Sequence, residues 1–439
     1  MLGSPVGDPA ACKEWVSQHV LAPYERALGR LQNLGDPRAA SLVLRQCLSA
    51  CKVSWVLRTA APEVACWAAS KASPLLRQAW ATVVGVDVPD MNWRLASLPI
   101  REGGAGIADP LDLVEAALVS SWLSAATRPP TTSCVGHPAG MEEAIQALAV
   151  KCPNLGTPLM AALKHNGIAA ARQHQLLPHW CSQGTWSDEF FKNSVKEFYS
   201  AVHERARCVR IIHTAPNAGL WLTAAPHADG GAPFAPEEWQ LLLRFRTGLQ
   251  LFQSNPTCRA CRMPMDPLGD HSLCCPASGL YRRHNRVRDT LFSLSLSAGW
   301  CPELEVAIPG TRDRPADILL KSGFPKPLAV DVTISHPLRI SAPVAARGEA
   351  TSSAEAGERA KRAAEGNMCH AAGWGFRAAG FDTAGGLGPG ALKTVRQLYR
   401  QLSMRQGRSS VSMADEVSRQ ISLALAKGRG EMLAASSPE

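Results

Sequence analysis

The chain has 439 residues, 46% of them hydrophobic and 19% charged, and carries a formal net charge of +9. That balance excludes a disordered chain, the length exceeds the roughly 250 to 300 residues one hydrophobic core usually serves, and the positive excess favours an acidic partner, with nucleic acid first. Fourteen cysteines in so long a chain exclude a disulfide scaffold, and the start MLGSPVGDPAACKEW lacks the basic and apolar segments of a secretory signal, so an intracellular protein, nuclear or cytoplasmic, is expected.

Residues 8–130 read as helices. Trp15, Val16, His19, Val20 and Leu21 recur at helical spacing, as do Leu42, Val43, Leu44, Leu48 and Cys51. The loop Leu98–Ile107 interrupts them. Its glycines could cradle a phosphate, but no strand precedes them and no Gly-Lys-Ser/Thr follows, so a structural turn is the better reading. A further helix covers roughly 110–126. Its run Leu113–Ala126 is the longest apolar stretch, too short for a bilayer and broken by Glu115, so no membrane partner is expected. Residues 131–255 form a helical connector, with a linker at 127–160 carrying one helix, helices near 157–180 and 187–210, a Pro-Gly-Ala-rich loop at 214–235 and a helix at 236–251.

After Pro256 the character changes. Cys258 and Cys261 stand two residues apart, a spacing from which one tight turn reaches one ion. His271 and Cys275 supply a second pair after turn formers Pro264, Pro267 and Gly269. Three thiolates and an imidazole are the donor set of a structural tetrahedral zinc site. Cys274 is an alternative to Cys275. The helix expected at 279–298 begins Leu-Tyr-Arg-Arg-His-Asn-Arg-Val-Arg-Asp289, and Arg282, Arg283, Arg286 and Arg288 are candidate phosphate contacts. A solvated helix face is the plainer reading of the same arginines. Residues 256–298 thus form a zinc knuckle and a basic helix.

Residues 299–405 read as an α/β unit. Strands are expected at Leu304–Ile308, Asp317–Leu320 and Leu328–Ile334, a helix at 343–372, a glycine-rich turn at 380–390 and a last helix at 391–404; residues 406–439 read as a frayed tail. Asp317 opens one strand and Asp331 interrupts another that is otherwise apolar. A carboxylate there is costly to desolvate unless it meets a metal or a partner. Two such groups at neighbouring strand ends can share a Mg2+, with Glu305, or failing it Glu303, as a third. Such an ion would activate water against a phosphodiester. Thr333 occupies the position where a PD-(D/E)xK nuclease carries lysine, and Lys361 in the following helix could supply the amine. The alternative leaves Asp317 as a turn residue and Asp331 in an ion pair.

These stretches together resemble the C-terminal part of a non-LTR retrotransposon polyprotein carrying a restriction-like endonuclease. Gly269–Cys275 with Arg283–Asp289 resembles its CCHC zinc knuckle and following helix. Arg314–Asp317 and Ala329–Pro337 resemble its endonuclease strands, Glu358–Lys361 its helix with a displaced lysine, and Gly373–Phe376 with Asp382–Gly386 its closing segment. Leu2–Gly7 and Leu98–Gly106 resemble the end of a reverse-transcriptase palm and its thumb, so residues 1–130 are expected to be a thumb-like region.

The resemblance implies a mainly α-helical N-terminal half, a zinc knuckle and a C-terminal restriction-endonuclease-like α/β domain. It implies catalytic roles for Asp317, Asp331, Lys361 and Glu305, structural zinc on Cys258, Cys261, His271 and Cys275, and magnesium on Asp317 and Asp331. The expected partners are DNA and the element's RNA, with no small-molecule substrate, and the expected activity is DNA nicking that primes reverse transcription. The sequence contains no Asp-Asp dipeptide, so no polymerase site is expected in it. A catalytically silent nucleic-acid-binding remnant is the competing expectation.

Overall fold

A computed structural model describes residues 4–126, 139–171, 177–201, 204–223, 234–253, 256–339 and 350–437. The chain is mainly helical and divides into two compact units, Met1–Pro99 with Gly106–Val202, and Ile100–Ala105 with His203–Glu439. This division differs from the one read from composition. Position 130 separates no units, and the 131–255 connector is shared between both. Of the expected linkers and loops, 127–138 and 224–233 lie outside the described residues, as do residues 1–3, 343–349 and 438–439 of other expected segments.

Unit 1 is helical: α1 (Pro9–Val16), α2 (Ala22–Gly29), α3 (Pro37–Val43), α4 (Ala50–Thr59), α5 (Pro62–Val84), α6 (Asp90–Ser97), α7 (Pro110–Ala126), α8 (Met141–Lys151), α9 (Pro153–Ala171), α10 (Leu177–Trp180) and α11 (Gln183–Ala201). The buried stripe Ala65, Ala68, Ala69, Ala72, Leu76 and Trp80 of α5 is largely methyl-sized at its N-terminal end, which lets α4 and α7 pack closely against it. Buried Asp109 opens α7 and is satisfied there by Ser73 Oγ at 2.9 Å, Trp93 Nε1 at 2.7 Å and the Leu111 N–H at 3.0 Å. That removes the cost of an unpaired carboxylate.

Unit 2 combines α12 (Glu204–Ile212), α13 (Pro236–Arg246), α14 (Asp270–Cys274), α15 (Leu280–Ser297), α16 (Ser352–Ala371), α17 (Pro389–Gln406) and α18 (Ser410–Ser436) with a four-stranded sheet of β1 (Pro302–Leu304), β2 (Ile318–Leu320), β3 (Leu328–Ser335) and β4 (Gly375–Asp382). The strands lie in the order β1-β2-β3-β4. The first two neighbouring pairs are antiparallel, and β3–β4 is a parallel pair joined across α16. β3 is buried on both faces, which its nearly continuous apolar sequence anticipates. One face of the sheet presents Ile318, Leu320, Val330, Val332, Ala379 and Phe381 to Val287, Leu291 and Leu294 of α15, Val395 and Leu398 of α17, and Val417, Ile421 and Leu425 of α18. The other places Leu319 and Ala329 with Cys369 of α16 and Trp374.

Three expectations change here. Residues 406–439 are not a tail, since α18 supplies Met413, Val417, Ile421 and Leu425 to the core; periodicity spread among serines and alanines hid this helix. β4 is not among the expected strands, and only its last residues, 380–382, fall in the turn expected at 380–390; Gly375, Ala378, Ala379 and Gly380 offer little strand propensity. Their smallness is what the packing needs: a Cβ on Gly380 would lie 2.4 Å from the Ala354 carbonyl oxygen of α16. β1 ends at Leu304, short of the expected 304–308, because Glu305 takes a left-handed backbone (φ 48°) that no strand continues through.

The glycine loop at 98–107 is structural. Buried Arg246 donates to the carbonyls of Gly104 at 2.7 Å and Ile100 at 2.9 Å, and Gly103 (φ 90°) admits the Arg210 carbonyl where a Cβ would meet it at 2.6 Å.

Candidate metal centre and carboxylate site

The metal centre is built by one short segment. The Cys258 N–H donates to the Met263 carbonyl at 2.9 Å and the Arg262 N–H returns to the Cys258 carbonyl at 2.8 Å, closing a turn in which Arg262 is left-handed (φ 64°). Across the loop, the carboxylate of Asp266 accepts from the N–H groups of Leu268 (2.9 Å), Asp270 (3.1 Å) and His271 (2.7 Å). This fixes the first turn of α14 and aims the His271 ring.

The ligand atoms of Cys258, Cys261, His271 and Cys275 all lie within 4.8 Å of one another, with Sγ–Sγ 4.0 Å between Cys258 and Cys275, and 3.3 Å from Cys261 Sγ to His271 Nε2. Tetrahedral zinc with bonds of about 2.0 to 2.3 Å needs donor separations of this size. The four residues could therefore hold an ion such as zinc. Cys274 stands outside the cluster, so Cys275 is the fourth residue of the set. Burial works against the Cys258 thiolate, but the N–H groups of Cys261 and Ala260 and the His271 side chain outweigh it and bring the thiol down to about 6, favouring the form that binds metal.

The second centre lies on the sheet. Ile318 pairs with Val330, so one step further along the antiparallel ladder Asp317 and Asp331 come side by side. Asp317 Oδ2 accepts from the Val332 N–H at 2.6 Å and lies 3.2 Å from His284 Nε2, which is also 3.1 Å from the Val332 carbonyl. Lys361 reaches from α16 to place Nζ 3.1 Å from Asp331 Oδ2. That oxygen is buried, and although ion-paired it has no aligned hydrogen bond.

The two carboxyls are pushed apart in acidity. Burial and the neighbouring Asp317 charge raise Asp331 to about 6, against the pull of Lys361. Burial also opposes the Asp317 charge, yet the His284 and Val332 donors win and hold it below its usual range. Burial would lower His284, but the Asp317 carboxylate overcomes this and raises it. Paired carboxyls separated in this way, with a lysine and a histidine attached, are a common signature of functional sites.

The other candidate residues stand elsewhere. Glu305 does not join the carboxylate pair: its left-handed backbone turns it to Arg288 at 3.1 Å and Arg314 at 3.5 Å. Glu303, the fallback, pairs with exposed Lys321.

The four arginines of α15 do not form one free cationic face, because the helix is packed on more than one side. Arg283 is buried and donates to the Leu273 carbonyl at 3.1 Å, Arg286 pairs with Glu431 of α18, and Arg288 pairs with Asp289 and Glu305. Arg282 remains exposed. Glu358 is structural, its buried carboxylate accepting from the N–H groups of Gly380, Gly390 and Ala391.

Two features were missed. His284 was visible only as one residue of a basic run, and its role depends on a β-strand far along the chain. Asp270, beside zinc-set residue His271, pairs with Arg205 at 2.7 Å and lies 3.2 Å from buried His336, which touches Thr383 Oγ1 at 2.7 Å. This polar network ties the metal module to the ends of β3 and β4, and no local pattern announces it. Among the described residues, no helix is long and apolar enough to cross a membrane. No protein-family model matches the chain, and no match is found among curated proteins.

Proposed function

We propose that unit 2 is a Mg2+-dependent, restriction-endonuclease-like domain that nicks DNA, part of a non-LTR retrotransposon polyprotein whose nick primes reverse transcription of the element's RNA in the nucleus. The observation that carries the reading is the meeting of Asp317, just before β2, with Asp331 of β3 and Lys361 of α16, beside a helix that starts directly after a Cys3His module. Asp317 and Asp331 would hold the magnesium, and the fit is supported by the buried Asp331 oxygen that lacks an aligned donor. Magnesium typically takes one or two protein carboxylates and keeps several waters. When bound, it would supply Lewis acidity at the scissile phosphate and a more acidic water.

The chain's own residues divide the remaining work. His284 and the Val332 N–H hold Asp317 Oδ2, fixing the orientation of that carboxylate. Lys361 keeps its ammonium on Asp331 while its side chain is 39% exposed, positioned to orient a water or steady charge on a phosphate oxygen. Zinc on Cys258, Cys261, His271 and Cys275 would stabilise the fold at the start of α15. Arg282 faces solvent as a sequence-independent phosphate contact.

Nicking of supercoiled plasmid tests the reading. The zinc-loaded chain nicks it when Mg2+ is added, and Asp331→Ala does not; equal nicking by both would sink the proposal. A silent nucleic-acid binder is the second reading, favoured by Glu305 being held by Arg288 and Arg314 and not joining the carboxylate pair. It calls for salt-sensitive DNA or RNA binding with no cleavage.

A further inference from the structure

Tyr281 has no part in the carboxylate site, yet it stands next to it in an unusual setting. Its ring is 71% exposed, and it is the single aromatic among the exposed large apolar side chains of the described residues. Aromatic rings that face water in this way are more often seen where they meet a partner. The Tyr281 and His284 rings are nearly parallel (27°), with centroids 6.4 Å apart, and His284 Nε2 lies 3.2 Å from Asp317 Oδ2. Along one side of α15, then, an open ring, an imidazole and a carboxylate follow one another. Arg282, the next residue, is exposed, whereas Arg283 is buried.

An exposed ring beside an exposed guanidinium suits an unpaired nucleotide, the ring stacking on the base while the cation takes the backbone. An intact duplex hides its base faces in its own stack, so it offers such a ring nothing except at an end or an opening. We infer that Tyr281 is a stacking platform that holds an unpaired base next to the Asp317–Asp331 pair, so that the preferred substrate is a single-stranded or locally opened DNA strand. The platform's place beside a scissile phosphate rests on the nuclease reading, but its binding function can be measured apart from cleavage.

The zinc-loaded full chain, without Mg2+, is titrated with a short mixed-sequence DNA single strand containing a fluorescent base analogue, and separately with its duplex. Tyr281→Ala is expected to bind the single strand about tenfold more weakly and to lose quenching of the analogue, with duplex affinity unchanged. Tyr281→Phe and Tyr281→Trp are expected to keep both. Single-strand binding by Tyr281→Ala equal to the parent chain overturns the platform, as does an equal loss on both ligands or no single-strand binding by the parent. Absence of nicking by the parent with a Tyr281-dependent single-strand affinity would remove the nuclease reading and leave the platform standing. Nicking with no Tyr281 dependence in binding would do the reverse.

Discussion

The Cys3His module and the carboxylate pair, the latter a magnesium site by our proposal, both lie within unit 2, and they are built in opposite ways. The first takes all its ligands from residues 258–275, closes four donors on one point and leaves no position open. The second gathers Asp317 from the edge of β2, Asp331 from β3, and Lys361 and His284 from two helices, and it offers two carboxylates, one with an oxygen that lacks an aligned hydrogen bond. A closed thiolate set suits an ion that stabilises structure, and an open carboxylate set suits one that must also bind water and substrate. Local spacing dictates the first kind of site, whereas tertiary structure assembles the second.

The sharpest break between them is metal removal. Stripping zinc with a strong chelator, or replacing Cys258 with serine, removes binding free energy that in small zinc modules amounts to roughly 10 to 16 kcal/mol. Thermal unfolding followed by circular dichroism should show unit 2 greatly destabilised. Asp331→Asn should leave the unfolding transition largely in place while abolishing nicking; if Asp331→Asn unfolds the domain as chelation does, the contrast fails.

Next in size is the packing beneath the sheet. Leu398 is fully buried in α17, and Leu398→Ala should cost about 2 to 5 kcal/mol by chemical denaturation. A comparable loss from truncating Leu425 would bear out α18 as core and not tail.

His284→Ala removes the group that holds Asp317 without touching substrate or a zinc donor. Loss of such a partner typically costs about 10- to 100-fold in metal affinity or activity. Nicking rates measured against Mg2+ concentration should show half-saturation moved to higher Mg2+, partly restored in His284→Gln. An unchanged curve would demote His284 to packing.

Asp382 separates a raised carboxyl from a metal site. Burial lifts it to about 6, against the N–H groups of Gly386, Ala384 and Gly385 and the charge of Arg429. Because the folded value exceeds that of the unfolded chain, its contribution to stability is complete below about 3.8 and is lost as pH rises through about 6. Asp382→Asn should flatten that segment of the stability profile, and added Mg2+ should not alter it. The smallest effect belongs to Arg282→Ala, which should lower the slope of log affinity for duplex DNA against log salt by about 1.

The chain displayed part of this openly. Cys258, Cys261, His271 and Cys275 were legible because a turn-spaced thiolate pair leaves little freedom, although only the fold separates Cys275 from Cys274. Asp331 stood out because a charge within Leu328–Ile334 is costly, and α7 because Leu113–Ala126 is a long, nearly unbroken apolar run. Glu305 misled because alternation assumes a strand that φ 48° ends. The arginines of α15 misled because Glu431 and the Leu273 carbonyl, their partners, are distant or belong to the main chain. His284 and β4 were not legible, since one acquires its meaning from Asp317 and the other from α16 packed over small residues.

The central claim is that Asp317 and Asp331 share one divalent ion, and Mn2+ binding to the zinc-loaded chain, followed by electron paramagnetic resonance, tests it most directly. One bound Mn2+ per chain, lost in Asp317→Asn and in Asp331→Asn alike while the zinc content stays constant, is the expected result. Undiminished Mn2+ binding in either variant would contradict it.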